Sequence, residues 1–329
     1  MTPDAPDHNL ALDLVRTTEV AAMAAARWQG RGDKEGVDQA AVDGMRAVLS
    51  TVAIDGTIII GEGEKDNAPM LFNGEKVGTG QGLRVDVAVD PVDGTTLSAE
   101  GMPGALAVIT VAEAGSMYAP GSLVYMDKIA VGPEAAGSID LDAPVAHNLR
   151  QVARALGKDI NDLTAIILDR PRNKKYVDAV RAAGARIRLI RDGDVSGAIS
   201  TAERDSGIDI LLGIGGSPEA VIAAGALACL DGEIQCRLWP RDDAEREYAM
   251  ENGLDLGAVL TTRDLVDSDN VFFAATGVTD GELLEGVTFF ADGAVTHSVV
   301  MRSKTGAVRH VTTRHNLAKL ERISRVPLS

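Results

Sequence analysis

The chain has 329 residues, with 48 Asp and Glu against 32 Lys and Arg and a net charge of −16. That field repels polyanions, which disfavours nucleic acid and anionic membranes as partners while leaving room for a small anionic substrate met through divalent cations on acidic side chains. The hydrophobic fraction is 45% and the aromatic fraction 3%, so the expected core is Ala, Val, Ile and Leu in layered helices and strands.

Cys229 and Cys236 are the two cysteines, too few and too isolated for a disulfide framework or a zinc knuckle. No apolar run approaches the ~20 residues that cross a bilayer. The start, Thr2-Pro3-Asp4-Ala5-Pro6-Asp7, is acidic and Pro-rich, unlike a signal peptide, so a cytoplasmic protein is expected.

Residues 1–8 read as a polar tail. From Asn9 to Gln29, Leu10, Leu14, Ala21, Ala25 and Trp28 recur at helical spacing, and Gly30-Arg31-Gly32-Asp33 ends the helix. A second helix is predicted from Lys34 to Ser50, with Val37, Ala41, Met45, Val48 and Leu49 on one side and Asp38 in its first turns. Thr57–Gly61 is a β-branched run that stops in Gly61-Glu62-Gly63-Glu64, so two carboxylates follow a strand end. Gly78-Thr79-Gly80-Gln81-Gly82 is a turn region, and the strand Val85–Val89 then delivers Asp90. Ala105–Ala112, Ser122–Ala130 and Ser116–Tyr118 read as further strands of an antiparallel sheet.

From His147 the rhythm alternates between helix and strand: His147–Leu156, Thr164–Leu168, Lys174–Ala183, Ala185–Ile190, Val195–Thr201, Ile208–Leu212 and Pro218–Leu230. Strands return at Val271–Thr276, Val287–Phe290, Ala294–Arg302 and Ala307–Val311, before a closing helix. The expected fold class is α/β, with an α+β lobe over residues 9–145 and an α/β lobe over 146–329.

In Asp90-Pro91-Val92-Asp93-Gly94-Thr95-Thr96, Pro fixes φ and Gly permits a positive φ, so the backbone can turn and aim both carboxylates at one point. Thr95 or Thr96 can cap a following helix. A plain Pro-Asp-Gly turn with solvated Asp fits the same residues. Asp38, Glu62 and Glu64 are further carboxylates, and hard oxygen ligands suit Mg²⁺ or Mn²⁺. Gly213-Ile214-Gly215-Gly216-Ser217-Pro218-Glu219 reads as a well-capped βα turn, with Ser217 as N-cap; it lacks the full G-x-G-x-x-G spacing of a dinucleotide site.

Arg170-Pro171-Arg172-Asn173-Lys174-Lys175 can grip a phosphate or simply be a solvated helix start. Asp192-Gly193-Asp194 can accept from sugar hydroxyls or form an Asp-Gly turn with a helix cap. His8, His147, His297, His310 and His315 show no metal-ligand spacing, and there is no G-x-S-x-G element.

Taken in order, Gly30-Arg31-Gly32-Asp33-Lys34, Gly61-Glu62-Gly63-Glu64, Asp90 to Thr96, Arg170-Pro171-Arg172, Asp192-Gly193-Asp194 and Gly213 to Glu219 resemble the class II fructose-1,6-bisphosphatases of bacteria. The resemblance runs from about residue 9 to residue 320. It implies the layered αβαβα sandwich of the lithium-sensitive sugar and inositol phosphatases, and hydrolysis of the 1-phosphate of fructose 1,6-bisphosphate in gluconeogenesis. It further implies Asp38, Glu62, Asp90, Asp93 and Glu219 as ligands of Mg²⁺ or Mn²⁺ in a metal-binding first lobe and a substrate-binding second lobe. Thr95 is implied as the catalytic hydroxyl, and Asp93, Gly94, Thr95, Tyr125, Arg170, Pro171, Arg172, Asp192, Gly193, Asp194 and Gly216 as substrate contacts. Glu219 replaces the Asp of the wider superfamily's motif, which changes the reach to the metal. Activity on sedoheptulose 1,7-bisphosphate, alone or with the fructose ester, and a non-catalytic sugar-phosphate sensor are the alternatives. A homo-oligomer, dimer or tetramer, is the expected assembly.

Overall fold

The computed structural model describes residues 9–63 and 70–324. The expected tail at 1–8 and Glu64 lie outside the described residues. In chain order the elements begin with α1 (Leu10–Ala26), α2 (Lys34–Leu49), β1 (Ile54–Ile60), β2 (Lys76–Val77), β3 (Leu83–Asp93), α3 (Thr95–Glu100) and β4 (Leu106–Glu113). Then come β5 (Tyr125–Val131), α4 (Val145–Leu156), β6 (Thr164–Leu168), α5 (Lys174–Ala183), β7 (Arg186–Ile190), α6 (Asp194–Ser200), β8 (Ile210–Gly216), α7 (Ser217–Cys229) and β9 (Glu233–Leu238). The last are α8 (Asp243–Glu251), β10 (Leu260–Thr261), α9 (Thr262–Leu265), β11 (Phe272–Gly277), β12 (Thr288–Phe290), β13 (Gly293–Arg302), β14 (Ala307–Asn316) and α10 (Leu317–Ser324). The fold class is α/β, with two mixed sheets. No helix among the described residues is long and apolar enough to cross a membrane.

The chain divides into two compact units. The first holds the chain up to Gly115, Phe272–Arg302 and the chain from Ala307 on; the second holds Ser116–Val271 and Ser303–Gly306. In the first unit the sheet order is β12-β13-β11-β4-β3-β1-β2, with β14 on β13. The α2 helix starts where the Asp33 side chain accepts the Gly36 N–H at 2.9 Å, satisfying one of the unpaired donors of a helix start. Its stripe Val37, Ala41, Met45 and Leu49 packs with Leu14, Ala21 and Ala25 of α1 onto Ile58, Val87, Ile109 and Ala274 of the sheet. One face of the sheet is thereby covered by the α1–α2 pair.

The second sheet runs β10-β9-β5-β8-β6-β7. Ile129, Ala165, Ile167 and Leu212 pack against Leu149 and Val152 of α4 and Tyr176 and Val180 of α5. The opposite face takes α6 and α7, with Gly197 of α6 lying against Ile166, Ile190 and Leu211. Helices on both faces of a sheet make this unit a three-layer α/β/α body.

A boundary near residue 145 falls inside the second unit, because β5 pairs antiparallel with β8 and β9 rather than with β4. Residues 116–144 therefore travel with the second unit, and β11 to β14 return the chain to the first sheet. Of Ser116–Tyr118, only Met117 forms a bridge, to Val266.

Candidate active site

The β3 strand does not turn at Pro91. It pairs with β4 at Asp90↔Val108 and again at Asp93↔Leu106, so three steps along β3 match two along β4. That extra residue is a β-bulge, a place where Pro is tolerated because no ladder N–H is required. Residues three apart in a regular strand face opposite sides of the sheet. The bulge cancels that, so Asp90 and Asp93 share the side of Val108 and Leu106. Asp90 Oδ1 accepts the Val92 N–H at 3.0 Å, and Asp93 is 3% exposed.

Gly94 follows at φ 95°, a left-handed conformation that glycine adopts without a Cβ penalty, and α3 begins at once with Thr95. Neither Thr95 nor Thr96 caps that helix. Thr95 Oγ1 donates to Asp38 Oδ1 at 2.8 Å or to the Val92 carbonyl at 3.1 Å, one hydroxyl hydrogen serving one acceptor at a time. Thr96 Oγ1 accepts from Lys34 Nζ at 2.9 Å, tying the start of α2 to α3.

The β1 strand runs parallel to β3 with Ile60 opposite Ala88. Glu62 lies two residues beyond Ile60, as Asp90 lies two beyond Ala88, so both carboxylates sit at the C-terminal ends of neighbouring parallel strands. Loops at those ends carry the ligands of α/β proteins. Glu62 is exposed, and its N–H donates to the Leu71 carbonyl at 2.9 Å.

In the second unit, β8 continues through Gly213-Ile214-Gly215-Gly216 and passes directly into α7. Gly216 is the N-cap residue, and Ser217 Oγ donates instead to the Leu123 carbonyl at 2.7 Å. Pro218 and Glu219 occupy the first turn, as their types predict. Tyr125 stands opposite Gly216 in the β5–β8 ladder. The Arg172 guanidinium lies 4.2 Å from the centre of the Tyr125 ring, and the Trp239 ring meets that ring edge-on at 6.2 Å. Arg172 Nε also donates to the Ile214 carbonyl at 3.0 Å.

Asn173, fully buried, accepts the Ile214 N–H at 2.7 Å and donates back to the Ile214 carbonyl at 3.2 Å. The Arg170–Asn173 turn is thus fastened to β8. Among the described residues the Arg170 guanidinium reaches only the Asp169 carbonyl, at 3.3 Å. Gly193 is left-handed at φ 82° and leads into Asp194, the first residue of α6. Asp194 is 7% exposed, and its Oδ2 accepts from Lys128 Nζ at 2.8 Å.

Burial opposes the charge on Lys128, but the Asp194 and Glu219 carboxylates outweigh it and raise its pKa, so the ammonium stays protonated. Burial pushes Glu219 up, and Asp194 adds to the rise while Lys128 counters it.

The family of bacterial, glpX-encoded fructose-1,6-bisphosphatases matches residues 8–315. A protein of Escherichia coli (strain K12) named fructose-1,6-bisphosphatase 1 class 2 is 46% identical over 322 residues, which is 94% of this chain and 95% of that protein. Proteins named fructose-1,6-bisphosphatase class 2 from Escherichia coli O6:H1 and Shigella flexneri share the same 46% identity and coverage. The chain belongs to this family.

In this fructose-1,6-bisphosphatase family member, the structure joins Asp38 to Thr95 and sets Asp90 and Asp93 on one side of a bulge in the first unit. In the second it gathers Tyr125 with Arg172, and Asp194 with Lys128 and Glu219. Among the described residues, no three His, Cys, Asp or Glu side chains come together closely enough to hold an ion. The donor chemistry does fit a hard divalent cation, since the residues are carboxylates at strand ends and a helix start. Glu219 Oε2 is buried with no hydrogen-bond partner, an arrangement that costs free energy unless a cation or proton meets the oxygen. Sequence reasoning missed Lys128 and Trp239, and named Asn173 only as part of the basic run. A lone Lys beside Ile129-Ala130-Val131, in an otherwise mostly apolar strand, was the available signal for the first.

Proposed function

We propose that this chain hydrolyses the 1-phosphate of D-fructose 1,6-bisphosphate, giving fructose 6-phosphate and inorganic phosphate, as a cytoplasmic homo-oligomer serving gluconeogenesis. The observation that carries this reading is 46% identity over 94% of the chain to a protein named for that activity. Asp38, Glu62, Asp90, Asp93 and Glu219 hold Mg²⁺ or Mn²⁺, whose charge when bound offsets that of the phosphate oxygens and acidifies water.

The remaining work falls to the chain's own groups. Thr95 Oγ1 directs its hydrogen to Asp38 Oδ1 at 2.8 Å, and a hydroxyl that donates can also accept. Thr95 therefore takes a hydrogen bond from the attacking water while its own proton moves toward Asp38. As the water oxygen bonds to phosphorus, the bond between phosphorus and the sugar O1 breaks, and O1 takes a proton from solvent that balances the one passed to Asp38. Arg170 and Arg172 bind the phosphate that does not react, with Pro171 shaping their turn, and Tyr125 supports Arg172 through its ring face. Asp192 and Asp194 accept from sugar hydroxyls. The backbones of Gly94, Gly193 and Gly216 border the substrate. Binding the remote phosphate positions the reacting one, which favours a bisphosphate over a monophosphate.

The test is phosphate release from a panel of sugar bisphosphates and monophosphates, with and without Mg²⁺ or Mn²⁺, for wild type and Asp90→Ala. Release from fructose 1,6-bisphosphate only with cation, and its loss in Asp90→Ala, is expected. No release from any ester in the presence of cation sinks the reading. Faster release from sedoheptulose 1,7-bisphosphate reassigns the sugar.

A further inference from the structure

The β5 strand carries Lys128 with 2% exposure. Its neighbours Ile129 and Val131 belong to the core beneath α4 and α5, so strand alternation puts Lys128 on the opposite face, under α6 and α7. There Asp194 Oδ2, at the start of α6, accepts from its Nζ at 2.8 Å, while Glu219, in the first turn of α7, makes no ion pair with it and acts on its charge from further off. Taking an ammonium out of water costs several kcal/mol, so an unmatched lysine could not stay there. Burial pushes the Cys236 thiol up to about 12, so this close neighbour adds no charge. Asp192 also lies close enough to push Glu219 up. Within the triad of Lys128, Asp194 and Glu219 there is one ammonium against two carboxyl groups, and the orphaned atom is Glu219 Oε2.

The strand β8 is shaped around this triad. A Cβ at Gly215 would collide with Asp194 Oδ2 and crowd Lys128 Nζ at 3.1 Å, and a Cβ at Gly216 would collide with Glu219 Oε2. Both carboxylates therefore press on bare backbone, with little freedom to exchange places.

We propose that Lys128 is a positioning residue that reserves Asp194 as its own partner and so leaves the triad with a single unmatched carboxylate, Glu219, for the cation. The proposal rests on the reading of Glu219 as a cation ligand. Lys128 sets how strongly the cation binds while keeping Asp194 available to sugar hydroxyls. Cation affinity must then follow the triad's net charge, which a purely structural lysine would not produce.

The experiment is calorimetric titration of the intact protein with Mn²⁺ alone, without substrate. Lys128→Met leaves two unmatched carboxylates and is expected to bind Mn²⁺ about tenfold tighter or more, since one unit charge within several ångströms of a divalent ion acts at that level even under strong screening. Asp194→Asn leaves none and binds about tenfold weaker by the same charge argument. Lys128→Met with Asp194→Asn restores one unmatched carboxylate and returns to within about threefold of wild type. If Lys128→Met does not fold, the other two variants still decide the matter. Asp194→Asn binding like wild type, or the double variant failing to return toward it, overturns the proposal. Affinities falling in step with melting temperature across all variants overturn it too. Failure of wild type and Glu219→Gln to differ in Mn²⁺ binding removes the underlying reading of Glu219, a separate outcome from a wrong order among the variants.

Discussion

Replacing Thr95 by Val exchanges a hydroxyl for a methyl of nearly the same shape, so the consequences separate by size. The lost bond is to a carboxylate at 2.8 Å, and hydrogen bonds to charged groups contribute about 1.5–3 kcal/mol net. Thr95 and Asp38 are both only partly buried, so water can replace the hydroxyl at Asp38, and the lower end, about 1.5 kcal/mol, applies. For a unit of this size that is roughly 3–6 °C in Tm. Losing a group that moves a proton in the reaction costs about 10²–10⁴-fold in rate, or some 3–5 kcal/mol. Thr95→Val should therefore lose kcat by far more than its stability loss explains, with KM little changed, and Thr95→Ser should recover most of the rate. Steady-state kinetics with fructose 1,6-bisphosphate at saturating cation, beside a thermal melt, provide the assay. A Thr95→Val enzyme within about threefold of wild type in kcat would refute the proton-relay reasoning, since general acid–base losses start about thirtyfold above that. A rise in KM at constant kcat would assign the hydroxyl to substrate binding.

Arg172→Ala should lower kcat/KM for a sugar bisphosphate by about 10–100-fold, the range of one charge-assisted hydrogen bond, and for a monophosphate by much less. Arg172→Lys should not rescue it, because the planar fork that stacks on Tyr125 is lost; equal damage to both esters would undo the role. His315 is held below the usual imidazole range by burial, beside Glu19 at 3.8 Å and Thr296 at 2.8 Å. A depressed folded pKa contributes stability that is fully present above the unfolded value, near 6.5, and is lost as pH falls through the folded value. Wild-type Tm should thus drop more steeply than that of His315→Gln between about pH 7 and pH 5, the window set by the unfolded imidazole. Glu19, raised by burial, works in the opposite direction and is common to both proteins, so parallel curves would remove His315 as the cause.

Local period made much of the fold legible. The α5 helix occupies Lys174–Ala183 as its apolar spacing predicts, and the stripe of α2 is buried as drawn. Pairing partners were not legible. The apolar run of β5 announces a strand but says nothing of which neighbour it meets, and the nearer candidate, β4, loses to β8 and β9, roughly 85 and 108 residues further on. The reading leaves residues 231–270 unassigned, although β9 alternates Glu233, Gln235 and Arg237 with buried Ile234, Cys236 and Leu238. Predicted at Ala307–Val311, β14 runs on to Asn316 through Thr312, Thr313, Arg314 and His315. Among the described residues it pairs with β13 alone, and a strand at an edge keeps polar residues that period alone assigns to loop.

At the site, residue types were legible while backbone geometry was not, and both errors share a cause. Pro91 with Gly94, and the glycines at 213, 215 and 216, were read as turn signals because turns are the commonest use of those residues. In β3 the Pro marks a bulge, held by ladder pairs on either side, which fixes Asp90 and Asp93 more firmly than a free turn would. Without the extra residue, Asp93 would swing to the face of Ile109 and into the core beneath α1 and α2. In β8 the glycines mark clearance: carboxylates from α6 and α7 lie where side chains would have been. Sequence spacing cannot reveal either arrangement, because the partner that demands the bulge or the gap is remote. Lys128, for instance, bonds a residue 66 positions away. Where a short motif holds Gly or Pro beside acidic residues, the physical question is what approaches the bare backbone, and here the answer is a second carboxylate with its own counter-ion.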